Sequence, residues 1–254
     1  MPKLAEIVRA LDAEYPFETA CSYDNVGLLV GRADKEIRKV LVSLDVTSAV
    51  IREAKRIGAD LILSHHPVIF REVKRITDES YTGGILLELI EAGIASVAVH
   101  TNFDAAPRGN NDALALLLGA GAYERIEDGF ATAFDLAKET PLAVFAEEVK
   151  SKLGDAVVRI VGEGTVSRVI AACGAGISEE LIFLAKETGA VIVTADVKHN
   201  YASMARDLGV RLVETTHYGS EWATFTDRIV NYLTGAFGDL ELVVGKENIN
   251  PYDA

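Results

Sequence analysis

Residues 40–67 read VLVSLDVTSAVIREAKRIGADLILSHHP. The apolar run Val40–Leu44 is too short for a buried helix and has the β-branched content of a buried strand. Asp45 and Thr47 can cap a following helix, in which Val50, Ile51, Ala54 and Ile57 recur at helical spacing. Leu61-Ile62-Leu63 is a second strand, and Pro67 stops it and holds the next loop open. The same rhythm continues outward. A helix over Gly84–Glu91 and a strand over Ile94–Val99 follow, then a helix capped by Asn111 or Asp112 that runs through Leu118. Upstream, Leu4, Ile7, Val8 and Leu11 mark an amphipathic helix, and Val26–Val30 a short extended segment closed by Gly31. Short apolar strands alternating with helices predict an α/β fold of mostly parallel sheets flanked by helices.

Gly, Ala and charged residues take over between Gly119 and Gly129, which marks a crossover between domains. Beyond it come two candidate strands around a helix from Pro141 to Leu153, and a strand over Val166–Cys173. Gly174-Ala175-Gly176 then turns into a helix at Ser178. Val191–Thr194 and Arg211–Thr215 are further strands; a helix over Glu221–Leu233 and a strand over Leu240–Val244 follow. The expected division is residues 1–125 with 217–254 in one α/β domain and 126–216 in a second, with a metal site at strand C-terminal ends between them.

The 254 residues are 49% apolar and 25% charged, which suits a soluble globular protein with a sizeable core. No run of 18 apolar residues spans a membrane, and the N-terminal residues show no secretory h-region, so the cytoplasm is the expected compartment. Two cysteines, Cys21 and Cys173, make no disulfide framework. The net charge of −13 and the lack of a dense basic stretch argue against nucleic-acid binding.

The five histidines are His65, His66, His100, His199 and His217. Four directly follow apolar strands, and His199 lies a few residues beyond one. Ligands of open parallel sheets bind beyond the carboxyl ends of strands, so the histidines stand where a site belongs. Asp104 follows His100 by four residues, and Glu221 follows His217 by four. Imidazole with carboxylate suits divalent zinc, iron, manganese or cobalt, and without cysteine ligands it argues against a closed structural zinc site. Adjacent side chains in an extended segment point apart, so His65 and His66 serve two ions better than one. Taken singly each motif is weak: a histidine after a strand is more often structural, and Asp104 can simply cap a turn. The argument rests on all of them occurring at strand ends in one chain.

Five ordered motifs carry a resemblance. They are Asp24-Asn25-Val26-Gly27-Leu28-Leu29-Val30-Gly31, Ser43-Leu44-Asp45-Val46-Thr47, Ser64-His65-His66-Pro67, His100-Thr101-Asn102-Phe103-Asp104 and His217-Tyr218-Gly219-Ser220-Glu221. In these the sequence resembles, nearly end to end, the short form of the NIF-three-like family of dinuclear-metal proteins, also labelled GTP cyclohydrolase 1 type 2 homologues. The resemblance implies two divalent ions per subunit. His65 and Asp104 would hold one, His66 and His217 the other, and Glu221 would bridge them. It leaves His100 as a residue that orients a ligand or a water, and it implies assembly as a hexameric toroid. Asp196 and His199 match no fixed family pattern and are pocket candidates only.

The expected function is a metal-dependent hydrolase of cyclohydrolase or phosphoesterase type, acting on a small molecule through a metal-bound water, with His100 or Glu221 moving protons. No Gly-x-x-x-x-Gly-Lys loop or arginine cluster for a triphosphate is visible. The alternative is a non-enzymatic metal-binding scaffold that delivers ions or regulates a partner.

Overall fold

The computed structural model of the chain describes residues 1–247 and 250–252; the remaining positions of the expected 217–254 range lie outside the described residues. In chain order the elements are α1 (Leu4–Glu14), β1 (Gly27–Val30), β2 (Lys39–Ser43), α2 (Ser48–Ile57), β3 (Leu61–Ser64), α3 (Tyr81–Ala92), β4 (Ala95–Ala98) and α4 (Thr101–Ala105). Next come α5 (Asn110–Leu118), β5 (Glu124–Ile126), β6 (Ala131–Pro141), α6 (Leu142–Leu153), β7 (Arg159–Val161) and β8 (Thr165–Ala171). The chain continues with α7 (Glu179–Thr188), β9 (Val191–Ala195), α8 (His199–Leu208), β10 (Arg211–Thr215), α9 (His217–Ala236) and β11 (Glu241–Val244). Two compact units divide them: residues 1–106 with 225–249, and residues 107–224 with 250–254.

The first unit is built on a five-stranded sheet of order β1-β4-β3-β2-β11. β11, β2, β3 and β4 run parallel, while β1 joins the edge antiparallel to β4. Of these, β2, β3 and β4 are buried along most of their length, which is why they read as largely apolar runs, whereas β11 at the sheet edge is not buried. Leu41 and Ile62 pack with Val50, Ile51 and Ala54 of α2 and with Ile85 and Leu89 of α3. Each such side chain taken fully out of water contributes about 1.5–3 kcal/mol. Thr47 caps α2, its side chain accepting from Val50 N, and Gly58 ends the helix in the left-handed conformation. Register then sets function: Ser43 stands opposite Ser64, and Ser64 opposite Ala98. The residues that follow these three strands therefore emerge together at one sheet edge.

The second unit holds a six-stranded sheet of order β5-β6-β8-β9-β10-β7. Here the expectation of a mostly parallel sheet is corrected. Only β8–β9 and β9–β10 are parallel, and the β5–β6, β6–β8 and β7–β10 pairings are antiparallel. The cause at β5–β6 is a tight turn over Glu127–Gly129, with Asp128 and Gly129 both at positive φ, which only an antiparallel pair can use. Alternation sorts the core into two layers. Phe134, Val169, Val191 and Val193 face α5 and α6, whereas Ile170, Ile192 and Leu212 face α7 and α8. Leu114, Ala115 and Leu118 bring α5 into this core, within the second unit. Gly109, not Asn111 or Asp112, is the N-cap of α5; those two side chains turn to Cys173 N and Arg108 N. Thr215 pairs with Ala195, and Ala195 N donates to Gly174 O, so residues 174, 196 and 216 share the sheet's carboxyl edge.

Candidate metal centre

In the first unit the edge beyond β2, β3 and β4 gathers Asp45, His65, His66, His100 and Asp104. His65 is fully buried, and its Nδ1 donates to Val99 O at 2.8 Å. A carbonyl can only accept, so the proton sits on Nδ1 and the other ring nitrogen is presented as a ligand atom. That nitrogen, Nε2, lies 3.4 Å from Asp104 Oδ1. His66 Nδ1 is held at 2.8 Å by Asp45 Oδ1, and His100 Nδ1 at 2.9 Å by Asp24 Oδ1. His65, His66 and His100 each offer one ligand atom within 4.8 Å of the others.

The segment His100–Asp104 shows how closely spaced residues divide the labour. Asn102 accepts from His100 N and donates to Tyr15 O, which fixes the turn into α4. Thr101 donates through its backbone and hydroxyl to Asp24. Phe103 packs edge-on against Tyr15 and Phe225, and Phe225 lies 5.2 Å from the His65 ring. Asp104 is left on the face toward His65. Burial works against ionisation of Asp24, but hydrogen bonds from His100 and Thr101 outweigh it and hold the carboxyl well below the usual range.

In the second unit, α9 begins four residues earlier than the sequence suggested. Thr216 Oγ1 accepts from Gly219 N at 2.9 Å, and Asp155 Oδ2 accepts from Thr216 N at 3.1 Å. His217 and Glu221 thus stand one turn apart on one helix face, not in a loop and a first turn. His217 Nδ1 is held by Asp196 Oδ2 at 2.7 Å, and its Nε2 lies 3.2 Å from Glu221 Oε2. Asp196 adopts φ +51°, unusual for a residue with a side chain. Gly174, at φ +54°, passes so close that a Cβ there would meet Glu221 Oε1 at 2.3 Å.

These clusters are consistent with metal binding. Ligating histidines donate their other ring N–H to a carboxylate or carbonyl, and His65, His66, His100 and His217 all do so. Two ligands on one tetrahedral ion, each about 2.0–2.2 Å from it, stand on the order of 3.3 Å apart. The His65–Asp104 and His217–Glu221 separations match that edge. The residues fit divalent ions. His199, exposed at the first turn of α8, joins no such cluster among the described residues. Asp24, Asp45 and Asp196 orient the His100, His66 and His217 rings, a role no local spacing in the sequence marks. The signal available was only that each lies in or beside a motif or strand end.

The chain matches the Duf34/NIF3 (NGG1p interacting factor 3) family over residues 2–251. It belongs to the NIF3 family. A Clostridium perfringens NIF3 relative, a GTP cyclohydrolase 1 type 2 homolog, is 31% identical over 99% of both chains. The GTP cyclohydrolase 1 type 2 of Helicobacter pylori is 32% identical over 87% of this chain and 88% of its own. A solved Staphylococcus aureus hypothetical protein superposes with a TM-score of 0.90 at 30% identity, covering 99% of both chains. A Bacillus cereus protein related to NIF3 shares the fold at TM-score 0.90 and 23% identity, over 100% of this chain and 99% of that one. The resemblance read from the motifs therefore holds along the NIF3 chain. Among the described residues no helix is long and apolar enough to cross a membrane.

Proposed function

We propose that this NIF3 protein is a dinuclear metal-dependent hydrolase. In this reading His65 and Asp104 would hold one divalent ion and His66 and His217 the other, with Glu221 as the shared carboxylate. The observation that supports it most directly is the engagement of Nδ1 in His65, His66 and His217, which leaves Nε2 of each as the ligand atom; His100 is held in the same way but serves as a proton carrier. Two such ions supply Lewis acidity and a water acidic enough to attack at neutral pH. The chain's own groups do the rest. Asp45 and Asp196 fix the rings of His66 and His217. Asp24 holds the imidazole of His100 through Nδ1, and in this reading its Nε2 would take up or return a proton. A small cyclic amide or a phosphoester is the substrate class, consistent with the cyclohydrolase name of the Helicobacter relative. A cytoplasmic homohexamer is the assembly we expect from the family resemblance.

The test is metal analysis of untagged protein, alongside His66→Ala and Glu221→Ala, with hydrolysis of a panel of cyclic amides and phosphoesters. Glu221→Ala should lose both ions and His66→Ala mainly one. Unchanged metal content in both variants would overturn the site. Tight metal binding with no turnover of any substrate would leave the non-enzymatic scaffold as the better reading.

A further inference from the structure

A second polar stripe runs from the residue before α9 along the helix, one position ahead of the row that carries His217 and Glu221. Thr216, Ser220 and Thr224 recur every four residues, each one position before His217, Glu221 and Phe225. Ser and Thr are poor choices inside a helix, because their hydroxyls compete for backbone groups. Here their hydroxyls also reach outside the helix. Thr216 donates through N and Oγ1 to the carboxylate of Asp155, in the loop after α6. Ser220 Oγ accepts from Gly174 N at 3.0 Å, in the loop after β8. Thr224 Oγ1 donates to Asn110 Oδ1 at 2.9 Å, at the first residue of α5. Asp155, Ser220, Thr224 and Asn110 are all buried. At Gly219 a Cβ would fall 2.3 Å from Asp155 Oδ1, so the missing side chain admits the carboxylate to the start of the helix.

We propose that this stripe is a clamp that fixes the rotation of α9 about its own axis, and that Asp155 and Asn110 are positioning residues for the metal centre. The inference rests on the metal reading above. Its force comes from tolerance. Metal–ligand distances must hold to about 0.2 Å. Ligand atoms about 6 Å from a helix axis move that far when the helix rolls by only about 2°. Backbone bonds within α9 do not resist a roll of the whole helix. Three anchors from three different segments do, and each grips the stripe beside His217 and Glu221.

The experiment compares zinc affinity of the metal-free full chain, by competition with a chromophoric chelator, and the visible spectrum of the cobalt-loaded form. Thr224→Val removes one anchor at nearly constant shape, Thr224→Ser restores the hydroxyl, and Asp155→Asn weakens another anchor should Thr224→Val not fold. Ser178→Ala, which removes the N-cap of α7 in the same unit, is the control for plain helix destabilisation. Thr224→Val and Asp155→Asn should weaken zinc about 10–100-fold and alter the cobalt spectrum. Thr224→Ser should bind as the parent does, and Ser178→Ala should melt earlier yet bind zinc unchanged. Parent-like zinc affinity in both anchor variants would overturn the clamp, and so would an equal loss in Ser178→Ala. A parent protein that binds no zinc, cobalt, iron or manganese would instead overturn the metal reading beneath it.

Discussion

Replacing Gly174 by alanine adds one methyl group where the structure has least room for it. The new Cβ would sit 2.3 Å from Glu221 Oε1 and 3.1 Å from His217 Nε2, against an ordinary contact of about 3.5 Å. Glu221 is 2% exposed, so it has nowhere solvated to retreat. The residue also sits at φ +54°, where an L side chain costs about 1–2 kcal/mol. Overpacking in a tight site adds about 1–3 kcal/mol. The two together predict a loss of about 2–5 kcal/mol, and at about 2–4 °C per kcal/mol the melting temperature should fall by at least about 4 °C. The carboxylate must also shift by on the order of 1 Å, several times the tolerance of a metal ligand. Zinc at a hundredfold excess over its Kd should stabilise the parent by about 2.7 kcal/mol, and Gly174→Ala should show little of that gain. Differential scanning fluorimetry with and without zinc, paired with metal analysis, reads both effects. A variant that melts within about 1 °C of the parent and keeps both ions would refute the cradle.

Asp24→Asn should remove the charge from the bonds to His100 and Thr101, at a cost of about 1.5–3 kcal/mol in urea unfolding near neutral pH. Because the folded carboxyl is held below its unfolded value of about 3.9, its contribution is present above that pH and lost as the pH falls through the folded value. The parent's stability should therefore decline below about pH 4 more steeply than that of Asp24→Asn, and parallel acid limbs would count against the assignment. Thr47→Ala should cost about 1 kcal/mol by deleting the cap of α2 while leaving metal content unchanged, checked by melting and metal analysis.

What the sequence made legible followed from burial. β2, β3, β4 and β9 are wholly or almost wholly buried and read as largely apolar runs, β8 and β10 keep shorter apolar segments, and four of the five histidines stand at or just beyond the ends of β3, β4 and β10. β5 is three residues long and mostly exposed, which leaves no pattern to read, and the two candidate strands on either side of α6 carry no local mark of their direction. That is why the antiparallel flanks of the second sheet went unseen. The start of α9 was hidden for a different reason. Thr216-His217-Tyr218-Gly219-Ser220 has the composition of a loop, and it becomes helix because Asp155, 61 residues away in sequence, takes the Thr216 N–H. The ligand types were readable from local spacing, but the groups that orient them were not. Asp24 lies 76 residues from His100, while Asp45 lies 21 from His66 and reads locally as a helix cap.

Asp196 offers the sharpest separation of metal ligation from ordinary structure. Its pair with His217 is partly exposed, with side chains 49% and 30% accessible, and an exposed ion pair of this kind contributes about 0–1 kcal/mol. Yet the residue holds φ +51°, a conformation that costs energy unless something repays it. Stability alone does not, so the repayment must lie in fixing the His217 ring. Asparagine tolerates the same backbone and keeps an oxygen that can accept from Nδ1. Asp196→Asn therefore changes charge with little change of shape, and its unfolding free energy should stay within about 1 kcal/mol of the parent. Zinc affinity should nonetheless fall about 10–100-fold, because a neutral acceptor leaves the imidazole a weaker ligand. Asp196→Gly should relax the backbone and lose the acceptor altogether, giving a protein at least as stable that binds zinc no better than Asp196→Asn. If both variants bound zinc like the parent, the Asp196–His217 pair would be a surface ion pair, and the strained backbone at Asp196 would have no role in the centre.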